Sequence, residues 1–529
     1  MKRWVIFGMG MIFACFARAE STFEHGQGAQ DVYPVFEDVR NIPQTKAESV
    51  REEQIEPLEH HEFDPRRKDS LLMNEGIPWM IPIHSLQEDS TSVETTASAS
   101  VEAAATQSVA IKFAGIPQTD FSPPDPTIAA GPKHILIAVN RVFAIYSKDG
   151  TRLFQTTMKS WFGSLPDASS SAFFDCRVLY DQYSGHYMVL SDSFRGRDGR
   201  SWYFLSVSRN RNPLGQWAFY ELDMQLNGTQ KAAISADFPG IGIDPSALYL
   251  TGNMFSTLGT QPFVYGKIRI ISKSQLYAFG PIQWSDFWNM IDATGVPAKN
   301  IQPAHCFGKT PVGYLANTNE AQGNQFTLWK VTNPGSSNPA LSSLAVPVSS
   351  YLVPPNAVQK GGGPRISTND SGLTSAVFRN GSLYTTQALA FDWGSGVVSA
   401  IRFYQISSAG TVVQEITYGA DGKYYFFPDV MADNAGNITI VFNRCSPSEF
   451  AGIYFTGRQA SDTPGTLRKA KRLHAGFANY RDPNPNGLDP WGDFNGIAKD
   501  PTNKSFWIFS EYVRNATSWA TEVGSVVFQ

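Results

Sequence analysis

Asp237-Phe-Pro-Gly-Ile-Gly-Ile-Asp-Pro245 returns as Asp493-Phe-Asn-Gly-Ile-Ala-Lys-Asp-Pro501, with the opening Asp-Phe, the Gly-Ile pair and the closing Asp-Pro in register. A spaced echo within one chain marks a repeated unit, and the repeat decides the architecture before local detail does. Relaxed matches extend the series to seven places. Asp125-Pro-Thr-Ile opens the first, Asp175-Cys-Arg-Val the second and Asp237 the third. Gln302-Pro-Ala-His-Cys and Pro364-Arg-Ile-Ser are degenerate fourth and fifth members, Pro428-Asp-Val-Met is the sixth, and Asp493 opens the seventh. Each is followed by a short apolar run, as at 135–139, 248–251, 374–378 and 438–442. The period, about 50 to 65 residues, lies near that of propeller and kelch repeats.

From residue 107 onward, short apolar and aromatic runs alternate with Gly, Pro, Asn and Asp, as expected of many strands joined by turns. Helical turns are expected only near 158–163 and 285–291. A hairpin-linked unit of this length fits a four-stranded blade, and blades bury their faces by stacking round a channel. The expected fold is therefore all-β, a seven-bladed β-propeller over residues 107–529. Three strands follow Asp493, one short of a blade. Val109-Ala-Ile-Lys-Phe-Ala114 is a strand with no blade of its own. It is expected to complete the last blade from outside, closing the ring and covering a sheet edge.

The chain has 529 residues, 42% hydrophobic and 13% aromatic, which is ample for a large core. Its formal net charge of −4 argues against a general nucleic-acid binder. Residues 1–19 read as an export signal: Lys2 and Arg3, an apolar run from Trp4 to Phe16, then Ala17-Arg18-Ala19. The alternative is a lipoprotein signal with Cys15 lipidated. Either way the mature protein is expected to be secreted, periplasmic or on the cell surface, without a transmembrane segment. Residues 20–106, rich in Glu, Gln, Asp, Ser and Thr, are expected to be a disordered leader and linker. Within them, the apolar stretch at 71–83 is expected to dock. Cys176, Cys306 and Cys445 lack paired spacing and read as small buried residues, not a disulfide scaffold.

Three stretches carry a resemblance: Asp125-Pro-Thr-Ile-Ala-Ala-Gly-Pro-Lys-His134, Phe143-Ala-Ile-Tyr-Ser-Lys-Asp-Gly150 and Trp491-Gly-Asp-Phe-Asn-Gly-Ile497. Together they resemble a group of exported, largely uncharacterised bacterial β-propellers of the broadly sialidase-like kind. The resemblance implies fold and export and carries over no catalytic residue. A sialidase itself would need three converging arginines, a Tyr–Glu nucleophile pair and an Arg-Ile-Pro near the domain start. Gly115-Ile-Pro117 lacks that arginine.

Ligands of propellers gather where inner strands begin and their loops converge. The repeat places Asp125, Asp175, Asp237, Asp429 and Asp493 on that rim, with His305 and Arg365 in the degenerate units. Arg177, two residues after Asp175, points to the same side. These aspartates fit two roles. They suit Ca²⁺ ligation or a general acid/base pair. Equally, an Asp at a strand start accepts hydrogen bonds from backbone N–H groups of its own turn or of the next blade. The functional expectation is a propeller that binds a carbohydrate or an extracellular protein. The alternative is a glycan-active hydrolase using two rim aspartates. Trp161, Trp284, Trp288, Trp393 and Trp519 fit sugar stacking or inter-blade packing.

Overall fold

Alternation within single strands dictates how the sheets stack. In the strand His134–Val139, Leu136 and Ala138 face one way and join Val178, Val189, Phe204 and Trp217 of the following sheet around Trp161. Ile135, Ile137 and Val139 face the other way and join Trp507, Phe509 and Val523 of the last sheet. A sheet buried on both faces needs apolar residues at consecutive positions, and this one has them. Each such buried side chain contributes about 1.5–3 kcal/mol. Trp161, Trp284, Trp288 and Trp519 are all buried, filling space between sheets.

The computed structural model describes residues 23–28, 31–45 and 106–528, apart from 197, 260, 261, 483–486 and 503. The signal sequence with Cys15 and the apolar stretch at 71–83 lie outside the described residues. The fold is all-β in a propeller arrangement. Among the described residues no helix is long and apolar enough to cross a membrane. The three cysteines at 176, 306 and 445 are buried and free.

Five blades stand as separate sheets. Their innermost strands are Thr127–Ala130, Ala172–Asp181, Gln302–Pro303, Tyr424–Ala432 and Gly496–Lys499. The expectation of seven separate blades is corrected here. Two further four-strand meanders, led by Ile234–Ile243 and Leu373–Arg379, run together in one ten-stranded sheet. Their link is the two-residue strand His305–Cys306, where His305 pairs in parallel with both Ile243 and Val377. The inner strands touch in chain order round the channel, and Gly496–Lys499 returns to Thr127–Ala130.

Closure occurs as the sequence implies. Gln107–Pro117 pairs antiparallel with Ser518–Phe528, the outermost of the three strands after Asp493. Gln107 also donates from Nε2 to Thr439 Oγ1 of the preceding blade at 3.1 Å. Part of the expected disordered leader is strand. Glu24–Gln27 pairs with Ser285–Trp288, and Val35–Asp38 with Gln216–Asp223. Both add to open outer edges, which explains why polar segments order there: the partner edge supplies the backbone bonds. Residues 285–288 are thus strand, held between two neighbours, while Met158–Trp161 is the expected helical turn, capped by Thr157.

Removing residues 1–117 is expected to lower Tm by at least about 5 °C relative to removing residues 1–105, because only the former strips the closing strand. Calorimetry of the two truncations checks this, and equal melting points would contradict a closing role.

Candidate functional site

The inner strands enter the channel through a repeated backbone device. Asp125, Asp175, Phe238, Asn300 and Phe427 all have positive φ, between 47° and 55°. At Asp175, Phe238 and Phe427 the ladder to the second strand skips, from Phe174 to Arg177, from Asp237 to Gly240 and from Phe426 to Asp429. Asp and Asn tolerate this left-handed conformation, whereas a phenylalanine there is strained. The residue two places on then faces the channel: Thr127, Arg177, Gln302 and Asp429 all line one cavity of about 640 Å³. The bulges aim Arg177 and Asp429.

This register separates residues that the sequence places together. Asp125 and Asp175 sit on the left-handed position and lock neighbouring units. Asp125 Oδ1 accepts the Asp493 N–H at 2.7 Å, joining the last blade to the first, and Oδ2 accepts the Asn140 side-chain amide at 2.5 Å. Asn140 Oδ1 in turn accepts the Asp175 N–H at 2.7 Å. Asp493 Oδ1 accepts from Asn369 Nδ2 at 3.0 Å, and Asp237 Oδ1 accepts the next residue's N–H at 2.9 Å. Asp429 instead corresponds to Arg177, two residues further on, and faces the cavity.

Two expected rim residues stand elsewhere. Arg365 is exposed in a short strand paired with Leu488–Asp489, outside the propeller's inner strands. The sequence alignment took 374–378 for the second strand of its unit, but Leu373–Arg379 is the innermost, so the expected rim slipped by one strand. His305 follows the innermost strand Gln302–Pro303 and lines the cavity. It bonds Gln182 Oε1 through Nε2 at 2.7 Å and stacks on Phe307, and burial pushes its pKa down to about 3. The left-handed residue of its unit is Asn300, which exchanges two hydrogen bonds with Asn253. Polar residues with turn propensity ahead of a strand were the available signal for Asn300, but the Asp-led pattern hid it.

Arg177 lies among acids. Its Nε donates to Pro239 O at 2.8 Å, its guanidinium lies 3.3 Å from the Phe494 ring centroid, and Nη2 is buried without a partner. Burial depresses its pKa, against the pull of Asp175, Asp429, Asp125 and Asp493. Burial raises Asp175, Asp429 and Asp493 each to about 7. Asp493 pushes Asp175 up further, and Asp370 and Asp237 push Asp493 up further, while Arg177 lowers all three. Asp125 is raised well above the carboxylate range by burial and by Asp175 and Asp493. Among the described residues no group of three or more His, Cys, Asp or Glu is arranged to hold a metal ion.

No protein-family model and no curated protein matches the chain. Solved structures similar to it include a protein of unknown function from Dyadobacter fermentans DSM 18053, at 9% identity and TM-score 0.33, covering 80% of this chain and 99% of that one. Trypanosoma rangeli sialidase aligns at 7% identity and TM-score 0.32, over 76% of this chain and 58% of that one. A Penicillium chrysogenum α-L-arabinanase complexed with arabinobiose aligns at 10% identity and TM-score 0.27, over 67% and 93%. Likenesses this distant carry no argument about activity.

Asp125→Ala strands the Asp493 N–H and one N–H of the Asn140 amide and is expected to cost about 2–4 kcal/mol, while Asp125→Asn, which tolerates the same φ and keeps one of the two acceptors, is expected to cost less but still at least about 1 kcal/mol, because its NH2 meets a donor. Urea denaturation of the two variants checks this. A pH dependence also follows. Asp175, Asp429 and Asp493 hold protons in the folded chain that the unfolded chain releases near pH 4. Their stabilising contribution is full below about pH 4 and is lost as pH rises through 7. Tm is expected to fall between pH 5 and 8, and Asp429→Asn to flatten that fall.

Proposed function

We propose that this is an exported propeller, with residues 1–19 as signal and 107–529 as the binding domain, whose channel binds a saccharide without cleaving it. The observation that carries this reading is the pair Arg177 and Asp429 facing one cavity of about 640 Å³, within the range of small-ligand pockets. Arg177 presents a buried Nη2 with no partner, and Asp429 is held near neutrality, able to donate or accept. Thr127, Gln302 and Asn495 line the same space, so polar side chains of both donor and acceptor kind border it.

One observation favours a second reading, glycoside hydrolysis: a carboxyl group near pKa 7 suits a general acid. Such a mechanism needs a second carboxylate about 5 to 10 Å away. The other carboxylates on the cavity are engaged. Asp433 accepts from the Ala435 and Asn437 N–H groups and from the Asn437 side chain. Asp500 is paired with Lys148 at 2.7 Å and accepts from Trp507 Nε1 at 2.9 Å. Binding therefore accounts for the lining better than cleavage does.

Calorimetric titration of the full mature chain with a panel of neutral and acidic oligosaccharides tests the reading. Arg177→Gln and Asp429→Asn are each expected to weaken binding at least about tenfold, or 1.4 kcal/mol, with no reducing ends released. Release of reducing ends that Asp429→Asn abolishes would overturn it in favour of hydrolysis.

A further inference from the structure

His305 lines the same cavity, and its neighbours fix both its place and its tautomer. Its backbone pairs in parallel with Ile243 on one side and Val377 on the other, so the residue is held between two blades. The imidazole stacks on Phe307, with ring centroids 4.4 Å apart and planes 10° off parallel. Phe307 also lines the cavity and is itself pinned, donating its N–H to Phe378 O at 2.8 Å.

Gln182 settles which ring nitrogen carries the proton. Its Nε2 donates to Cys306 O at 2.8 Å, a carbonyl that can only accept. The amide oxygen therefore faces His305, and the imidazole Nε2, 2.7 Å away, must be the donor. Turning the amide over would set two oxygens against each other. Tyr183 gives its hydroxyl proton to the same carbonyl at 2.9 Å, which confirms that oxygen as an acceptor. In a neutral imidazole the other nitrogen, Nδ1, then keeps a lone pair. The ring is neutral. Burial pushes its pKa down to about 3, and Arg379 and Lys273 push the same way against Asp181. Asp181 is itself bound to Lys273 at 2.7 Å. Among the described residues His305 makes no hydrogen bond besides the one to Gln182, so Nδ1 is an acceptor without a donor. A fixed acceptor on a cavity wall recognises an O–H or N–H and repels a group that only accepts.

Resting on the saccharide reading of this channel, we propose that His305 is a specificity-determining residue: its Nδ1 accepts a hydrogen bond from one free hydroxyl of the bound sugar. A sugar with that hydroxyl capped by a methyl group leaves the lone pair unmatched, and is rejected.

Nitrogen NMR spectra of the full mature chain at neutral pH read the tautomer directly, with the His305 signals assigned by their loss in His305→Phe. They are expected to show a proton on Nε2 and none on Nδ1, and a proton on Nδ1 would overturn the inference. Titrations with cellobiose, mannobiose and xylobiose, and with the mono-O-methyl ethers of the tightest of them, read the contact. One ether is expected to bind at least about tenfold more weakly than its parent. His305→Phe keeps a ring to stack on Phe307 but loses the acceptor. It is expected to weaken the parent sugar about tenfold and to erase the penalty of that one ether, leaving those of the others. If it fails to fold, His305→Gln, which can still donate to Gln182 Oε1, is expected to do the same. A merely structural role for His305 would leave every ether's penalty intact, and that result would overturn the inference. Parent and ethers bound equally well would also overturn it, with the saccharide reading left standing. Binding of no sugar at all would overturn both.

Discussion

A hydrogen bond from the Asp493 N–H to the Asp125 carboxylate ties the end of the last inner strand's entry loop to the start of the first. A ring of sheets has no free face to lose, but it has a seam, and the seam must hold or the stack opens. Here the seam is held at two radii. Near the axis, Asp125 bridges Asp493 and Asn140. At the perimeter, Gln107–Pro117 pairs with Ser518–Phe528. Between them, Ile135, Ile137 and Val139 pack against Trp507 and Phe509. Channel geometry, bulge positions and the placement of every lining residue depend on that closure, because each inner strand is positioned by its neighbours.

Burying so many carboxylates near the axis has an electrostatic cost, and protonation offsets it. Asp125, Asp175 and Asp493 crowd round Arg177, whose single charge does not neutralise them, and their affinities for protons rise accordingly.

Much of the fold was legible in particular residues. The Asp237 and Asp493 echo placed the inner strands, and consecutive apolar residues in 135–139 announced a sheet covered on both faces. The unpaired strand at 109–114 and the blade short of a strand pointed to each other. The site was less legible. Asp175 and Asp429 look equivalent in sequence, but the former occupies the left-handed position and the latter lies two residues beyond it. A bulge adds a residue to one strand without changing composition, so a repeat alignment by residue type drifts by two there. Arg365 was misplaced for a related reason, since its unit begins one strand later than the pattern suggested.

Sequence alone determined that this chain builds repeated four-stranded sheets closed by an early strand, because strand periodicity and turn residues are local properties that each segment carries with it. Only the tertiary structure decided which polar residues serve the ring and which serve the channel. It also decided that Glu24–Gln27 and Val35–Asp38 are strands, and that Arg177 and Asp429, far apart in the chain, line one cavity. Those outcomes depend on bulges, on edges offered by distant sheets and on inner strands meeting round the axis, none of which any one segment encodes.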